Sequence, residues 1–394
     1  MCPVFCTDVP PSPLPGVVPI NNRRGVVTLA FHAGLWRQWP KPNGDDETAM
    51  TKRDASTQES QRDAQTRRAR GEFVRGVSGF RSVLGVDPDF PAEPDRYHLY
   101  VALNCPWCHR VTLARSVLGL QSSLSMDVVF PNRTAADDPR GENLWEFAPT
   151  RVASLTGATL PECTVETGSG DGHDVVKRLY EAEGSDEKSV PVLYDKKTRR
   201  IVANESAEIL RMLNAQAAAL GSSGPHQERP DLYPLADPSL CAEIDGLNQQ
   251  IYVAINNGAY KAGFSSDQQV YGAAFEAYFD TLRGLEARLN SDGRPFLTGA
   301  AFTEADLRLF PTLYRHDPVY YLRMKLNGAR ILDYPNLWRW LCRVYALPGV
   351  ADSSSLVHCR QGYFGRSWNN VVPLGPIYPA PYPDAYCHPE LAQP

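Results

Sequence analysis

The sequence changes from a strand pattern to a helix pattern at a Cys-Pro pair, and this junction is the feature that most constrains the fold. Residues 97–103, "YHLYVAL", form a near-continuous apolar run of strand length, which is typical of a strand buried on both faces of a sheet. From Pro106 the apolar residues follow helical spacing until Gly119, a residue type that commonly ends helices. We therefore predict a buried strand followed directly by a helix.

The rest of the chain continues this pattern. A second strand is predicted within 124–130, and "SVPVLYD" and "RRIVANE" predict a hairpin around "DKKT". Helical spacing returns at 206–214. It then dominates after the linker-like segment 221–231, with helices predicted at 270–289, from 302–310 and at 336–347. Thr303 and Asp306 have the spacing of a capping box at one of these helix starts. The fold class is a β-α-β…β-β-α unit followed by an all-α domain.

Composition excludes several classes of function. The formal charge of −5 at pH 7 argues against nucleic acid as a main partner, because phosphate binding needs a basic face. The sequence has no run of 18 apolar residues, so we expect no membrane-spanning helix. The nine cysteines are an odd number and mostly far apart, which favours a reducing compartment and a cytoplasmic location. Organellar targeting by residues 1–43, which carry a single acid, stays open.

The stretch "NCPWCHR" (104–110) is open to several interpretations. A zinc site usually has two close pairs of ligands, and no second Cys-x-x-Cys or His-x₃₋₅-His follows. Cys-x-x-Cys-His also matches c-type haem attachment, but Pro106 and Trp107 would crowd a porphyrin after a buried strand. We therefore predict no metal here, and thiol chemistry instead.

Cys105 is the predicted nucleophile because of its position at the start of the helix. A thiol there faces unpaired backbone N–H groups and the positive end of the helix dipole, which both favour the thiolate. Its pKa should then lie below the usual value of about 8.5; a packed structural thiol is the alternative. For Cys108, one turn further on, a resolving thiol and a bystander are both open. His109 and Arg110 are expected to stabilise and solubilise the helix.

Six motifs follow one another in a fixed order along the sequence: "CPWCHR" (105–110), "VPVL" (190–193), "NES" (204–206), "INNGAYKAGF" (255–264), "DYPNLWRWLCRVYALPGV" (333–350) and "GYFGRSW" (362–368). This set resembles a known family, the glutathione transferases, and more narrowly their xi class, the glutathionyl-hydroquinone reductases. The segment 71–81 also resembles the N-terminal arm of that family, and the likeness extends over roughly 71–376.

The resemblance implies a binding site for glutathione as co-substrate. Pro191 should be a cis proline that leaves the backbone of Val190 free to pair with an extended peptide such as glutathione. Glu205 and Ser206, at a helix start, would hold the γ-glutamyl carboxylate, and simple helix capping is compatible with that role. Trp145 resembles the tryptophan that packs on glutathione in the family.

The resemblance also implies an aromatic substrate. Tyr260 and Tyr363 match tyrosines that the family places over the hydroquinone, although ordinary aromatic packing is an alternative for both. Two departures from the family pattern are Cys108, where the family has Ala, and Phe364, which replaces one phenol of a tyrosine-rich segment. The first makes a Cys105–Cys108 disulfide conceivable.

The function implied is removal of glutathione from glutathionyl-hydroquinones through a mixed disulfide between Cys105 and glutathione. The main alternative is an omega-like or dithiol thioltransferase, or dehydroascorbate reductase, that uses Cys105 and Cys108. A conjugating transferase and a non-catalytic scaffold are further alternatives. The expected partners are glutathione and hydroquinone-type aromatic molecules, with no nucleic acid and no membrane, and the family resemblance implies a homodimer.

The domains follow from the same resemblance. A thioredoxin-like, glutathione-binding domain of the α/β class is predicted at 96–220, and an all-helical domain at 221–350. Three flanking segments are also predicted: a disordered or targeting extension at 1–70, an N-terminal arm at 71–95, and a C-terminal extension at 351–394. No function is predicted for the insertion at 152–173 or the tail at 377–394.

Overall fold

The structure is a computed structural model that describes residues 67–151, 163–223, 229–365 and 371–373. Most of the predicted extension 1–70, residues 152–162 of the insertion, and the tail 377–394 lie outside the described residues. Within the described ranges, no helix is both long and apolar enough to cross a membrane.

A four-stranded mixed sheet forms the centre of the first domain. Its strands are β1 (Tyr97–Val101), β2 (Ser125–Val128), β3 (Val192–Asp195) and β4 (Arg200–Ala203), in the spatial order β2-β1-β3-β4. Strand β1 is parallel to β2 and antiparallel to β3, and β3 and β4 form the predicted hairpin. Every residue of β1 is buried, because β1 lies between two strands and both faces are covered. This confirms the strand predictions.

Helices α1 (Pro106–Val117), α2 (Lys177–Ala182) and α3 (Ser206–Gln216) accompany the sheet. Helix α1 begins with proline at its first position, where the missing N–H costs nothing, and it packs against α3. Sequence periodicity did not predict α2, because its six residues are too few to show a helical repeat. The predicted thioredoxin-like arrangement is confirmed.

The second domain is all-helical, as predicted. Helix α4 (Pro238–Gln250) continues through the π-helical segment Ile251–Asn256 into α5 (Asn257–Phe264). The long helix α6 (Gln268–Asn290) follows, and α7 (Glu304–Arg315) runs into a second π-helical segment, His316–Tyr320, and the turn Tyr321–Arg323. Helices α8 (Pro335–Tyr345) and α9 (Leu356–Phe364) follow, and they are preceded by the 3₁₀ turns Ile331–Asp333 and Ala351–Ser353.

Helix α7 is fixed at both ends, and it connects the two domains. At its start the predicted capping box is present: Thr303 N–H donates to Asp306 at 3.0 Å. The Asp306 carboxylate also accepts hydrogen bonds from the Leu297 N–H and the Trp340 indole, each at 2.8 Å. Along its length α7 packs against α1. The C-terminal end of α7 therefore lies next to the Cys-Pro junction.

Candidate active site

Cys105 lies in the connection between β1 and α1, at the N-cap position of the helix. Its backbone is extended, with φ −80° and ψ 122°. The sulfur is half-buried and lies 4.0 Å from the carbonyl oxygen of Val190. An extended residue before Pro106 is what the proline ring requires, so the sequence itself fixes the position of the thiol.

The surroundings of Cys105 favour the thiolate. A hydrogen bond from the Cys108 thiol, backbone N–H groups of Cys108 and Trp107, and the positive charge of Arg315 lower the pKa of Cys105 to about 6, in spite of desolvation. Burial, followed by the interaction with Cys105, raises the pKa of Cys108 well above its usual value. Both thiols are free. At neutral pH Cys105 is therefore a thiolate and Cys108 a protonated hydrogen-bond donor.

A fully buried arginine lies beneath this junction, and sequence reasoning missed it. Arg315 donates to the carbonyl oxygens of Leu103 at 2.8 Å and Asn104 at 3.1 Å, the two residues before Cys105. It also donates to Nδ1 of His109 at 2.8 Å, since burial lowers the pKa of His109 and keeps the ring neutral. No carboxylate among the described residues forms an ion pair with Arg315. Its positive charge is one of several causes that lower the pKa of the Cys105 thiol.

The expectation that His109 and Arg110 solubilise α1 is wrong. Both side chains are almost fully buried, with 1% and 2% of their surface exposed. His109 Nε2 is hydrogen-bonded to Ser354 Oγ at 2.9 Å. The Arg110 guanidinium lies 4.5 Å from the ring centroid of Trp107 and donates to Asn256. The helical domain covers this face of α1, so its polar residues serve as connections between the domains.

The residues predicted to hold the peptide part of glutathione lie at strand and helix ends. The Val190–Pro191 peptide bond is cis, as predicted, and the Val190 carbonyl faces Cys105. Glu205 is the N-cap of α3, and its carboxylate accepts from the Ala207 N–H at 3.1 Å. Ser206 follows and is buried. The capping role of Glu205 is therefore present, and the first turn of α3 is the predicted position for a carboxylate.

Trp145 lies in an extended segment before α2. Its ring is buried beneath the guanidinium of Arg133, 4.6 Å from the ring centroid. Its carbonyl accepts from the Val176 N–H at 2.9 Å. Among the described residues, no hydrogen bond or ring contact connects Trp145 to Cys105 or to the predicted tyrosines. Its proposed contact with glutathione stays a prediction.

Two predicted tyrosines meet, together with a third that sequence reasoning missed. The hydroxyls of Tyr260 and Tyr363 lie 2.7 Å apart, and the buried Tyr320 hydroxyl lies 3.1 Å from that of Tyr363. Burial raises the pKa of all three phenols, and the negative charge of Cys105 contributes at Tyr260. They therefore stay protonated as hydrogen-bond donors. Tyr320 supplies a third phenol although Phe364 has none.

Helix α9 carries Tyr363 and packs closely on the loop before Cys105. A Cβ atom on Gly362 would collide with the side chain of Asn104, so only glycine lets α9 pack on the loop before Cys105. Arg323 donates to the Tyr363 carbonyl at 3.1 Å, which ties α9 to the end of α7. Gly362, the first glycine of "GYFGRSW", is thus required for the packing of the site.

The segment 255–264, "INNGAYKAGF", carries the remaining tyrosine of the cluster. Asn256 donates to Thr312 Oγ1 at 2.7 Å, which holds the start of α5 against α7. At the other end Gly263 leaves no room for a side chain beside Met324. With both ends fixed, the Tyr260 ring stands over Trp107, with 6.2 Å between the ring centroids.

This combination of a thiol and a phenol cluster can be compared with known proteins. The family model described as glutathione S-transferase, N-terminal domain, matches residues 104–216, and that of the C-terminal domain matches 268–343. Glutathionyl-hydroquinone reductase YqjG of Escherichia coli K12 is 39% identical over 330 residues, covering 81% of this chain and 92% of its own. The reductase PcpF of Sphingobium chlorophenolicum is 37% identical, covering 80% and 93%.

Solved structures agree with these relatives. The crystal structure of the glutathione S-transferase Xi from Phanerochaete chrysosporium is 36% identical, with a TM-score of 0.66 over 78% of this chain and 93% of its own. The chain belongs to the xi class of glutathione transferases. The glutathione-bound structure of YqjG is likewise similar to this transferase, with 38% identity and a TM-score of 0.66 over 82% of this chain and 98% of its own.

Removing the thiol that donates to Cys105 should weaken its thiolate. We expect Cys108→Ala to raise the pKa of Cys105 from about 6 to about 7, because a hydrogen bond to a charged group contributes about 1.5–3 kcal/mol and one pKa unit equals about 1.4 kcal/mol. Iodoacetamide alkylation of Cys105, which needs the thiolate, should rise with pH around each midpoint. Cys108→Ser keeps a donor and should stay near 6; an unchanged midpoint in Cys108→Ala would contradict the assignment.

Proposed function

We propose that this transferase is a glutathione-dependent reductase that removes glutathione from glutathionyl-hydroquinones. The observation that carries the proposal is the low pKa of Cys105, which makes this residue a thiolate at neutral pH. Transferases that only activate bound glutathione use a hydroxyl at this position, whereas a thiolate can itself attack sulfur. The names of YqjG and PcpF support the same substrate class, and the glutathione-bound YqjG structure supports glutathione as co-substrate.

The first step is attack of the Cys105 thiolate on the sulfur of the glutathionyl-hydroquinone. A Cys105–glutathione disulfide bond forms, the bond between sulfur and the aromatic carbon breaks, and the ring leaves with the electron pair. A proton then converts that carbon to C–H. The Val190 carbonyl lies 4.0 Å from the sulfur, and the peptide backbone of glutathione would lie beside it.

The phenols have the chemistry to assist departure of the ring. Tyr260 and Tyr363 would donate hydrogen bonds to the hydroquinone oxygens, and Tyr320 orients the Tyr363 hydroxyl from behind. These bonds stabilise negative charge as it develops on the ring, which is where preorganised donors act most strongly. Burial keeps the phenols protonated, as donors must be.

A second glutathione completes the cycle. Its thiolate attacks the glutathione sulfur of the mixed disulfide, forms oxidised glutathione and releases the Cys105 thiolate. Two glutathione sulfurs are thereby oxidised to one disulfide, and the aromatic substrate is reduced to the free hydroquinone. No metal takes part in this cycle.

The dithiol alternative has one observation in its favour. The hydrogen bond between Cys105 and Cys108 brings the two sulfurs close together, so Cys108 could displace glutathione from Cys105. Burial raises the pKa of Cys108, which opposes this step because a neutral thiol is a poor nucleophile. The expected homodimer and cytoplasmic location stay predictions.

Single substitutions of the two cysteines separate these mechanisms. Cys105→Ser should abolish release of hydroquinone from glutathionyl-hydroquinone, with an unchanged far-ultraviolet circular dichroism spectrum. Cys108→Ser should retain activity within about threefold, because it keeps a hydrogen-bond donor to Cys105. If Cys105→Ser still releases hydroquinone, the proposed function is contradicted. If Cys108→Ser releases none, the dithiol cycle is favoured. Hydroquinone release measured by liquid chromatography is the readout.

The phenol cluster gives a second test. Tyr260→Phe should lower kcat for glutathionyl-hydroquinone about a hundredfold, because removing one preorganised hydrogen-bond donor to developing negative charge costs about 10²–10³ in kcat. Reaction of the same variant with a small disulfide, which needs no proton on carbon, should change little. Tyr271→Phe is the matched control, since the Tyr271 hydroxyl donates to the Lys325 carbonyl at the surface. Equal losses in both reactions would show that Tyr260 has only a packing role.

A further inference from the structure

The N-terminal arm is attached to the helical domain beside the phenol cluster. Residues 71–75 run along α5, where the Gly71 carbonyl accepts from Ser265 Oγ at 3.2 Å. Glu72 forms an ion pair with Lys261 at 2.8 Å. These contacts fix the backbone of the arm, so the side chains that follow have defined positions over the site.

The arm places the guanidinium of Arg75 against the rings of Trp107 and Tyr260, which lie beside the phenol cluster. The Arg75 guanidinium lies 4.1 Å from the ring centroid of Trp107 and 4.9 Å from that of Tyr260. Its Nε donates to Asn257 Oδ1 at 3.4 Å, and Phe73 packs against Tyr260 with 5.9 Å between ring centroids. Arg75 is therefore held by its ring contacts and by one long hydrogen bond.

The charge of Arg75 has no counter-ion among the described residues. One of its terminal nitrogens is shielded from solvent and has no hydrogen-bond partner there. The nearby carboxylate of Glu72 is engaged by Lys261. Trp107 also contacts a second guanidinium, that of Arg110, so two cations lie against this ring. A half-buried arginine with an unused N–H group is suited to a planar anion, because its fork of donors matches a carboxylate.

We propose that Arg75 binds a carboxylate on the aromatic ring of the substrate, which makes ring-carboxylated glutathionyl-hydroquinones the preferred substrate class. The inference rests on the proposed function and deepens it. The substrate ring would lie beside Tyr260, its hydroxyls would accept hydrogen bonds from the phenols, and its carboxylate would pair with the Arg75 guanidinium. Arg75 selects the substrate and takes no part in bond making. A carboxylate of glutathione itself would supply the same chemistry, and the test below separates the two sources.

The test compares two substrates in three proteins. The substrates are the glutathione adducts of 2,5-dihydroxybenzoate and of unsubstituted hydroquinone, and the proteins are wild type, Arg75→Gln and Arg178→Gln. Arg178 is a surface control that pairs with Glu181 on α2. In Arg75→Gln the ratio of kcat/KM for the carboxylated over the neutral substrate should fall about tenfold, chiefly through KM, because a charge-assisted pair contributes about 1.4 kcal/mol or more. In Arg178→Gln the ratio should match wild type.

If Arg75→Gln lowers kcat/KM equally for both substrates, the inference is overturned and Arg75 acts on glutathione or in packing. If Arg75→Gln changes kcat/KM for neither substrate, the inference is overturned as well. Binding separates this failure from failure of the proposed function. In full-length Cys105→Ser protein, free 2,5-dihydroxybenzoate should bind about tenfold more tightly than hydroquinone, as measured by tryptophan fluorescence. This preference should disappear when Arg75→Gln is added. If the wild-type protein releases no aromatic product from either glutathione adduct but this binding preference holds, the reductase proposal fails and the carboxylate site is retained. If the binding preference is also absent, both proposals fail.

Discussion

The negative charge on the Cys105 sulfur is the feature around which the rest of the site is arranged. The sheet domain supplies the start of α1, with its free N–H groups, and the Cys108 thiol. The helical domain supplies Arg315, which binds the carbonyls of the two residues before Cys105. Among the described residues Arg315 has no carboxylate partner, and its positive charge is one of the causes that lower the pKa of Cys105. The reactivity of the thiol thus depends on the packing of one domain against the other.

The groups proposed to contact the substrate are likewise divided between the two domains. The sheet domain contributes the thiol and the backbone of Val190, whereas the helical domain contributes Tyr260, Tyr320 and Tyr363 from three separate elements. In the proposed mechanism, neither domain alone contains both the nucleophile and the hydrogen-bond donors for the leaving ring. This explains why glycine stands at 362, where α9 must approach the loop before Cys105: a larger residue would move the phenols away from the thiol.

Much of the fold and part of the site could be predicted from the sequence. Strand β1, helix α1 and the β3–β4 hairpin have strong local signals, and the capping box at Thr303 marks the start of α7. Arg315 and Tyr320 gave no signal, because their roles depend on contacts between distant positions; Arg315 and Leu103 are 212 residues apart. The expectation that His109 and Arg110 solubilise α1 is wrong for a related reason. Polar residues on a helix usually face water, and here a second domain covers them.

The most direct test of the central claim is the intact mass of the protein after reaction with a glutathionyl-hydroquinone, quenched before glutathione is added. A chain that uses Cys105 as a single nucleophile should gain one glutathione, which peptide mapping places on Cys105 and added glutathione removes. Loss of two hydrogens, mapped to a Cys105–Cys108 disulfide, would contradict the monothiol cycle and assign Cys108 as the resolving thiol. An unchanged mass, with hydroquinone nevertheless released, would contradict covalent catalysis by Cys105 altogether.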